Sequence, residues 1–162
     1  MERSQPMTAQ QAFSKLSALC ARSEHCQHDM LEKMRQWGVS AEDQAAVMQR
    51  LVSERYVDDA RFARAFVLDK VRYNKWGRRK VEQALWLKHI DKQTAAEALD
   101  DISDEEYVAV LRPLLKQKRK STKAQSEYEL TMKLIKFALG HGFTMDIIRQ
   151  CIDVDDEDEF LD

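Results

Sequence analysis

Apolar residues recur along this chain every three or four positions, in runs of 10 to 15 residues broken by polar or glycine positions. That spacing is the stripe of an amphipathic helix and not the alternation of a strand. The stripes also repeat. A shift of 51 residues carries Met34, Val39, Met48 and Leu51 onto Leu85, Ile90, Leu99 and Ile102. A further shift of 53 carries Val81, Ile90 and Leu99 onto Leu134, Phe143 and Ile152. Each copy has a helix ending in a glycine or polar residue followed by one apolar residue, at Gly38-Val39, His89-Ile90 and Gly142-Phe143. The pattern predicts three tandem three-helix modules: 1–55 with a flexible N-terminus, 56–102, and 103–152. Helices are expected over 8–22, 27–37 and 41–54, then 59–75, 78–88 and 92–101, then 104–119, 127–140 and one begun by Thr144.

Local chemistry supports these starts. Ser40 with Asp43, Ser103 with Glu106 and Ser126 with Glu129 read as helix N-caps, in which a hydroxyl accepts a free backbone N–H. Pro113 falls inside a predicted helix, where it removes one hydrogen bond and should kink it. Residues 119–125 read as a mobile link. No triple of such short helices encloses much interior, so modules must stack on their neighbours. The expected fold is all-α, three helix-turn-helix-like repeats in an elongated, curved arrangement.

The chain is organised around residues 56–90. Asp58 is placed to cap the helix that follows by accepting the N–H of Arg61. Val57 and Phe62 are spaced as a hydrophobic staple. Phe62, Ala65, Phe66, Asp69 and Tyr73 fall near one face, with Arg61, Arg64, Arg72 and Lys75 pointing elsewhere. Trp37, Trp86, Phe137 and Phe143 read with these aromatics as core. Trp76, before the break at Gly77 and flanked by Lys75 and Arg78, could stack on a base or pack a hinge.

Composition narrows the function. Charged residues are 33% of the chain and Gly plus Pro only six positions, which favours helices. Three cysteines without a C-x-x-C spacing fit reduced thiols. With no apolar run of bilayer length and no secretory leader pattern, a cytoplasmic location is expected. Phosphate-cradling, hydrolase and zinc-protease motifs are absent, so no enzyme activity and no cofactor are expected. Asp58-Asp59 lacks a third ligand nearby, and His25-Cys26-Gln27-His28 lacks the paired clusters of a zinc site; neither suggests a metal.

The net charge of −2 hides an uneven distribution. Residues 153–162 carry seven acids and no base, an acidic tail expected to be disordered. Arg61 to Lys80 holds eight bases against one acid, and Arg112 to Lys136 eight against two. Charged helical faces are mostly just solvated, but two basic clusters on a non-globular scaffold suit a long polyanionic or filamentous target. The candidate partner-binding or nucleic-acid-binding residues are Arg61, Arg64, Lys70, Arg72, Lys75, Trp76, Arg78, Arg79 and Lys80. A second set is Lys116, Lys118, Arg119, Lys120, Lys123, Lys133 and Lys136. DNA contact through these would be to phosphates and therefore salt-sensitive. Three functions stay open on this basis: a modulator of a filament, a stand-alone helix-turn-helix DNA-binding protein, and a plain helical scaffold.

Tyr56-Val57-Asp58-Asp59-Ala60-Arg61-Phe62-Ala63 resembles the G-Y-L-D-D-x-R-F-A signature of the RecX family, bacterial regulators of RecA. Lys75-Trp76-Gly77 followed by Val81, Ala84, Leu85, Leu87, Lys88 and Ile90 is similar to its G-x-G-x-x-x-I-x-x-E-L-x-x-K-G-I segment, and Gly142-Phe143 to its closing R-G-F. The likeness runs from about residue 15 to 152. Cys26 stands where that family commonly has a capping Ser, Arg78-Arg79 where it has a Gly/Pro turn, and His141 where it has Arg. The resemblance implies a monomeric all-α protein of three three-helix repeats. It implies binding in the groove of the RecA filament on single-stranded DNA, with inhibition of ATP hydrolysis, strand exchange and coprotease activity, and hence a role in DNA repair and recombination.

Overall fold

Seven helices of the computed structural model, which describes residues 5–152, begin on their own side chains. Thr8 and Gln11 form a reciprocal capping box at α1 (Ala9–Arg22). Ser40 accepts the Asp43 N–H at the start of α3 (Ala41–Ser53), and Asp58 accepts the Arg61 N–H at α4 (Asp59–Arg72). Asp91 caps α6 (Lys92–Asp100) and Ser103 caps α7 (Asp104–Ser121). Ser126 caps α8 (Glu127–Gly140), and Thr144 caps α9 (Met145–Cys151). Each such bond satisfies a backbone donor that the helix cannot. The two remaining helices, α2 (Gln27–Gln36) and α5 (Arg78–Leu87), have no side-chain cap of their own, because Cys26 makes no cap bond and Gly77 has no side chain.

The helix endings bear out the internal repeat. Val39 N–H bonds the Met34 carbonyl, Ile90 the Leu85 carbonyl and Phe143 the Ala138 carbonyl. In all three turns the residue before the apolar one is left-handed: Gly38 at φ 74°, His89 at 57° and Gly142 at 93°. This is the Schellman ending, with a buried apolar residue closing it. Met34, Leu85 and Ala138 are all fully buried.

Helices α1, α2 and α3 pack on one another, as do α4, α5 and α6, and α7, α8 and α9. The described chain is therefore an all-helical tandem array of three-helix modules, with the second touching both others. Its apolar interior is not evenly shared. Ala12, Leu16, Met30, Met34 and Leu51 belong to a cluster of the first module that Val57, from the start of the second, completes. Val67, Val71, Leu85, Leu99, Leu111, Phe143 and Ile148 belong to one continuous cluster running through the second and third, which Cys26 of the first module also joins.

Several expectations need correction. Val57 and Phe62 do not form a staple, because Val57 is buried in the first cluster and Phe62 in the second. The inner face of α4 is Phe62, Ala63, Val67 and Val71, while Ala65 and Asp69 are exposed and Tyr73 is 81% exposed. The helix stops at Arg72 because Tyr73 is its C-cap and Lys75 turns left-handed at φ 59°. Trp86 is 72% exposed, since Val81 and Leu85 aim the core face of α5 away from it. Helix α7 runs on through Pro113 to Ser121, leaving 122–125 of the expected link. That remnant is held by bonds from Thr122 to the Lys118 carbonyl, from Gln125 N–H to Glu129, and from Lys133 to the Lys123 carbonyl. The acidic tail lies outside the described residues. Among those described, no helix is long and apolar enough to cross a membrane.

Candidate functional site

The two uncapped helix starts lie where modules meet, and the following module completes each of them. At the first junction Asp59 receives the Gln27 N–H at 2.9 Å and its side-chain amide at 3.3 Å. Of the adjacent acids, Asp58 thus starts its own helix and Asp59 starts α2. Lys88 reaches Asp29 at 2.7 Å, and the Arg61 Nε donates to both oxygens of Glu24 at 2.7 and 2.9 Å. The His28 and His89 rings lie 4.1 Å apart. Burial pushes the Asp29 carboxyl up, but the hydrogen bond and charge of Lys88, with Cys26 and His25, outweigh it and hold it below the usual range. Burial also pushes the Cys26 thiol up to about 12, which marks it as a buried, unreactive thiol.

At the second junction the caps are backbone carbonyls. Gly77 N–H bonds the His141 carbonyl at 2.8 Å and Arg79 N–H the Gly142 carbonyl at 2.9 Å. The two segments approach so closely that a Cβ on Gly77 would lie 2.3 Å from the Phe143 nitrogen. One on Gly142 would lie 2.4 Å from the Lys80 Cβ.

This contact joins the two basic clusters of the sequence. The Trp76 N–H bonds the Lys70 carbonyl, and its half-buried ring has the Lys70 ammonium 5.2 Å and the Lys80 ammonium 4.7 Å from its centroid. Beyond Lys80 comes His141, whose ring lies 4.4 Å from that of Phe137, and Lys118 sits 5.1 Å from Phe137. Lys70, Trp76, Lys80, His141, Phe137 and Lys118 so form a ridge of cations and rings. Burial first, then the charges of Lys80 and Lys118, hold the His141 imidazole below its usual value. Arg78, Arg79 and Lys80 crowd the first turn of α5, which contains no acid. Three cations at the positive end of a helix dipole oppose helix formation, and an anion there relieves them.

The other predicted residues divide by partner. Arg61 faces the first junction, where its Nη2 also bonds the Arg55 and Tyr56 carbonyls. Arg72 pairs with Glu106, Arg78 with Asp100, Arg119 with Glu127 and Lys133 with Glu129. Lys75 donates to the Arg72 carbonyl. Arg64, Arg79, Lys116, Lys120, Lys123 and Lys136 are exposed and have no carboxylate partner among the described residues. The sequence reading missed Phe137, taken as core, and met His141 only where the RecX pattern has Arg. Their spacing of four on α8 was the available signal, but it gains meaning only beside Lys80 and Lys118. A surface groove of about 870 Å³ between α5 and α6 is edged by the exposed Trp86 and Leu87. No group of three or more His, Cys, Asp or Glu suited to a metal ion occurs among the described residues.

Comparison with known proteins matches residues 58–99 to the second three-helix domain of RecX and residues 104–152 to its third. A regulatory protein RecX of Acinetobacter baylyi is 28% identical over 135 residues, covering 83% of this chain and 82% of that protein. The regulatory protein RecX of Lactobacillus johnsonii is 25% identical over 126 residues, covering 78% of this chain; the match spans 46% of that longer protein. The crystal structure of RecX from Lactobacillus salivarius superposes with a TM-score of 0.79 at 19% identity, over 88% of this chain and 93% of that one.

Proposed function

The chain belongs to the RecX family, and from that premise we propose that it is a non-catalytic regulator of RecA, acting as a monomer in the cytoplasm. It binds within the groove of the RecA filament on single-stranded DNA. There it restrains ATP hydrolysis, strand exchange and coprotease activity, and through them DNA repair and recombination. The observation that carries this reading is the ridge of cations and rings at the second junction. Ammonium groups held against aromatic faces on a fixed backbone contact suit a repeating row of phosphates, and half-buried rings among them suit the edge of an unstacked base. None of the ridge residues is arranged to read base edges of a duplex, which favours a filament or a single strand over a sequence-specific operator.

The test is RecA ATPase on single-stranded DNA with substoichiometric protein. Inhibition is expected, together with a loss of about tenfold in potency for Lys80→Glu combined with Lys118→Glu. Unchanged turnover at every ratio overturns the proposal. Tight, sequence-selective duplex binding without RecA would support the stand-alone DNA-binding protein instead.

A further inference from the structure

His141 is the only residue of the ridge whose charge can change near neutral pH. It closes α8 as its C-cap, and its backbone carbonyl accepts the Gly77 N–H, which holds the residue at the junction. The ring is half-buried against Phe137 at 4.4 Å, and its Nδ1 is buried with no hydrogen-bond partner among the described residues. Each element packed around it adds either positive charge or none. Helix α5 brings Lys80, α7 brings Lys118, α8 itself contributes Phe137, and the 76–77 segment contributes the Trp76 ring and the Gly77 N–H. No carboxylate is among the groups that act on it.

We propose that Lys80, Lys118 and His141 form a cradle for a nucleic-acid backbone phosphate, and that filling it places a proton on His141, so that binding tightens as pH falls. This rests on reading the ridge as the face turned to nucleic acid. In the free chain, burial and two like charges keep the imidazole neutral at pH 7. A phosphate among the ammonium groups cancels the repulsion and adds an attraction, so the bound complex holds the proton more firmly than the free chain does. By linkage, a group whose proton affinity rises on binding makes affinity climb as pH drops through the interval between its free and bound values. The proton comes from solvent, and no other species is consumed. Sensitivity to pH therefore resides at the contact between the second and third modules, while the lysines supply constant attraction.

The experiment measures binding of a cyanine-labelled oligothymidylate to the full chain at low salt, from about pH 8 to about pH 6. Wild type is expected to gain about twofold or more in affinity over that interval. His141→Asn should lose most of that slope, although His25, His28 and His89 remain. His141→Arg should bind at about pH 8 as tightly as wild type does at about pH 6, with a flat profile. On the wild-type chain, the NMR titration midpoint of the His141 ring should move up when the oligothymidylate is added, a readout that needs no variant. Inorganic tripolyphosphate should produce the same movement. If only the oligothymidylate does, the contact is base stacking on Trp76 and the phosphate cradle is wrong. An unchanged midpoint with both probes, or a His141→Asn slope equal to wild type, overturns the proposal. RecA inhibition by His141→Asn separates the readings: retained inhibition with the slope intact leaves the regulator role standing and removes only the proton linkage.

Discussion

The two junctions of this array solve one problem with different materials. In both, the second helix of a module starts without a cap and the next module provides it. At the first junction the provider is the Asp59 side chain, surrounded by the Lys88–Asp29 and Arg61–Glu24 pairs, and two distinct apolar clusters meet there, exchanging only Cys26 and Val57. At the second, the providers are main-chain carbonyls of His141 and Gly142, and one apolar core runs across. A junction of side-chain charges yields to salt, acid and single substitutions in graded steps. A junction of touching backbones and a shared core has no graded response, because a Cβ either fits or displaces two segments.

The sharpest way to break the contrast is Gly77→Ala. Its φ of −83° suits alanine, so the penalty is purely the clash with residues 142 and 143. A loss of about 3 kcal/mol is expected in denaturant unfolding, with the second and third modules affected together. A neutral result would show that the glycines are not in contact. Asp59→Ala comes next, at about 1–2 kcal/mol, the usual cost of a lost cap. Its amide-exchange signature should be confined to α2, leaving α5 protected.

Acid gives a smaller effect, read from the difference between wild type and Asp29→Asn. The folded Asp29 carboxyl lies below its unfolded value of about 3.9. Its contribution is therefore present above that pH and disappears as pH falls through the folded value. The pair is partly exposed, so the difference should be about 0.5–1 kcal/mol at neutral pH and vanish in acid. Asp59, which burial pushes the other way, is also raised by the Asp29 charge, so part of the difference is relief of that repulsion in Asp29→Asn. Smallest is Tyr107→Phe at the second junction. The buried Tyr107 hydroxyl has no hydrogen-bond partner among the described residues, and burial pushes the phenol up to about 12. Removing it should leave stability unchanged or raise it by up to about 1 kcal/mol, since an unmet donor costs more than a missing one. A clear loss would mean that the hydroxyl is satisfied.

What could be read from the residues alone follows the same division. Ser40, Asp58, Ser103 and Ser126 cap donors three positions away, so the helix starts they govern were legible to within a residue or so. The Gly38, His89 and Gly142 turns were legible because each carries its signal in two adjacent residues. Asp59 looked idle beside Asp58 because its partner lies 32 positions earlier. Gly77 looked like a simple break because its meaning depends on Gly142. Trp86 was placed inside because aromatic character was weighed above position, although Val81 and Leu85 already define the inner line of α5. Arg61, counted with the free cations, turns out to face Glu24 across a junction that no local pattern announces.

Borrowed helix starts also bear on how such a chain comes into being. As it leaves the ribosome N-terminus first, α2 emerges before Asp59 does and α5 before Gly142. Each must wait, loosely wound, for a residue not yet made. Of the three second helices only α8, begun by its own Ser126, can settle without a successor, so each earlier module is completed one step behind its own synthesis.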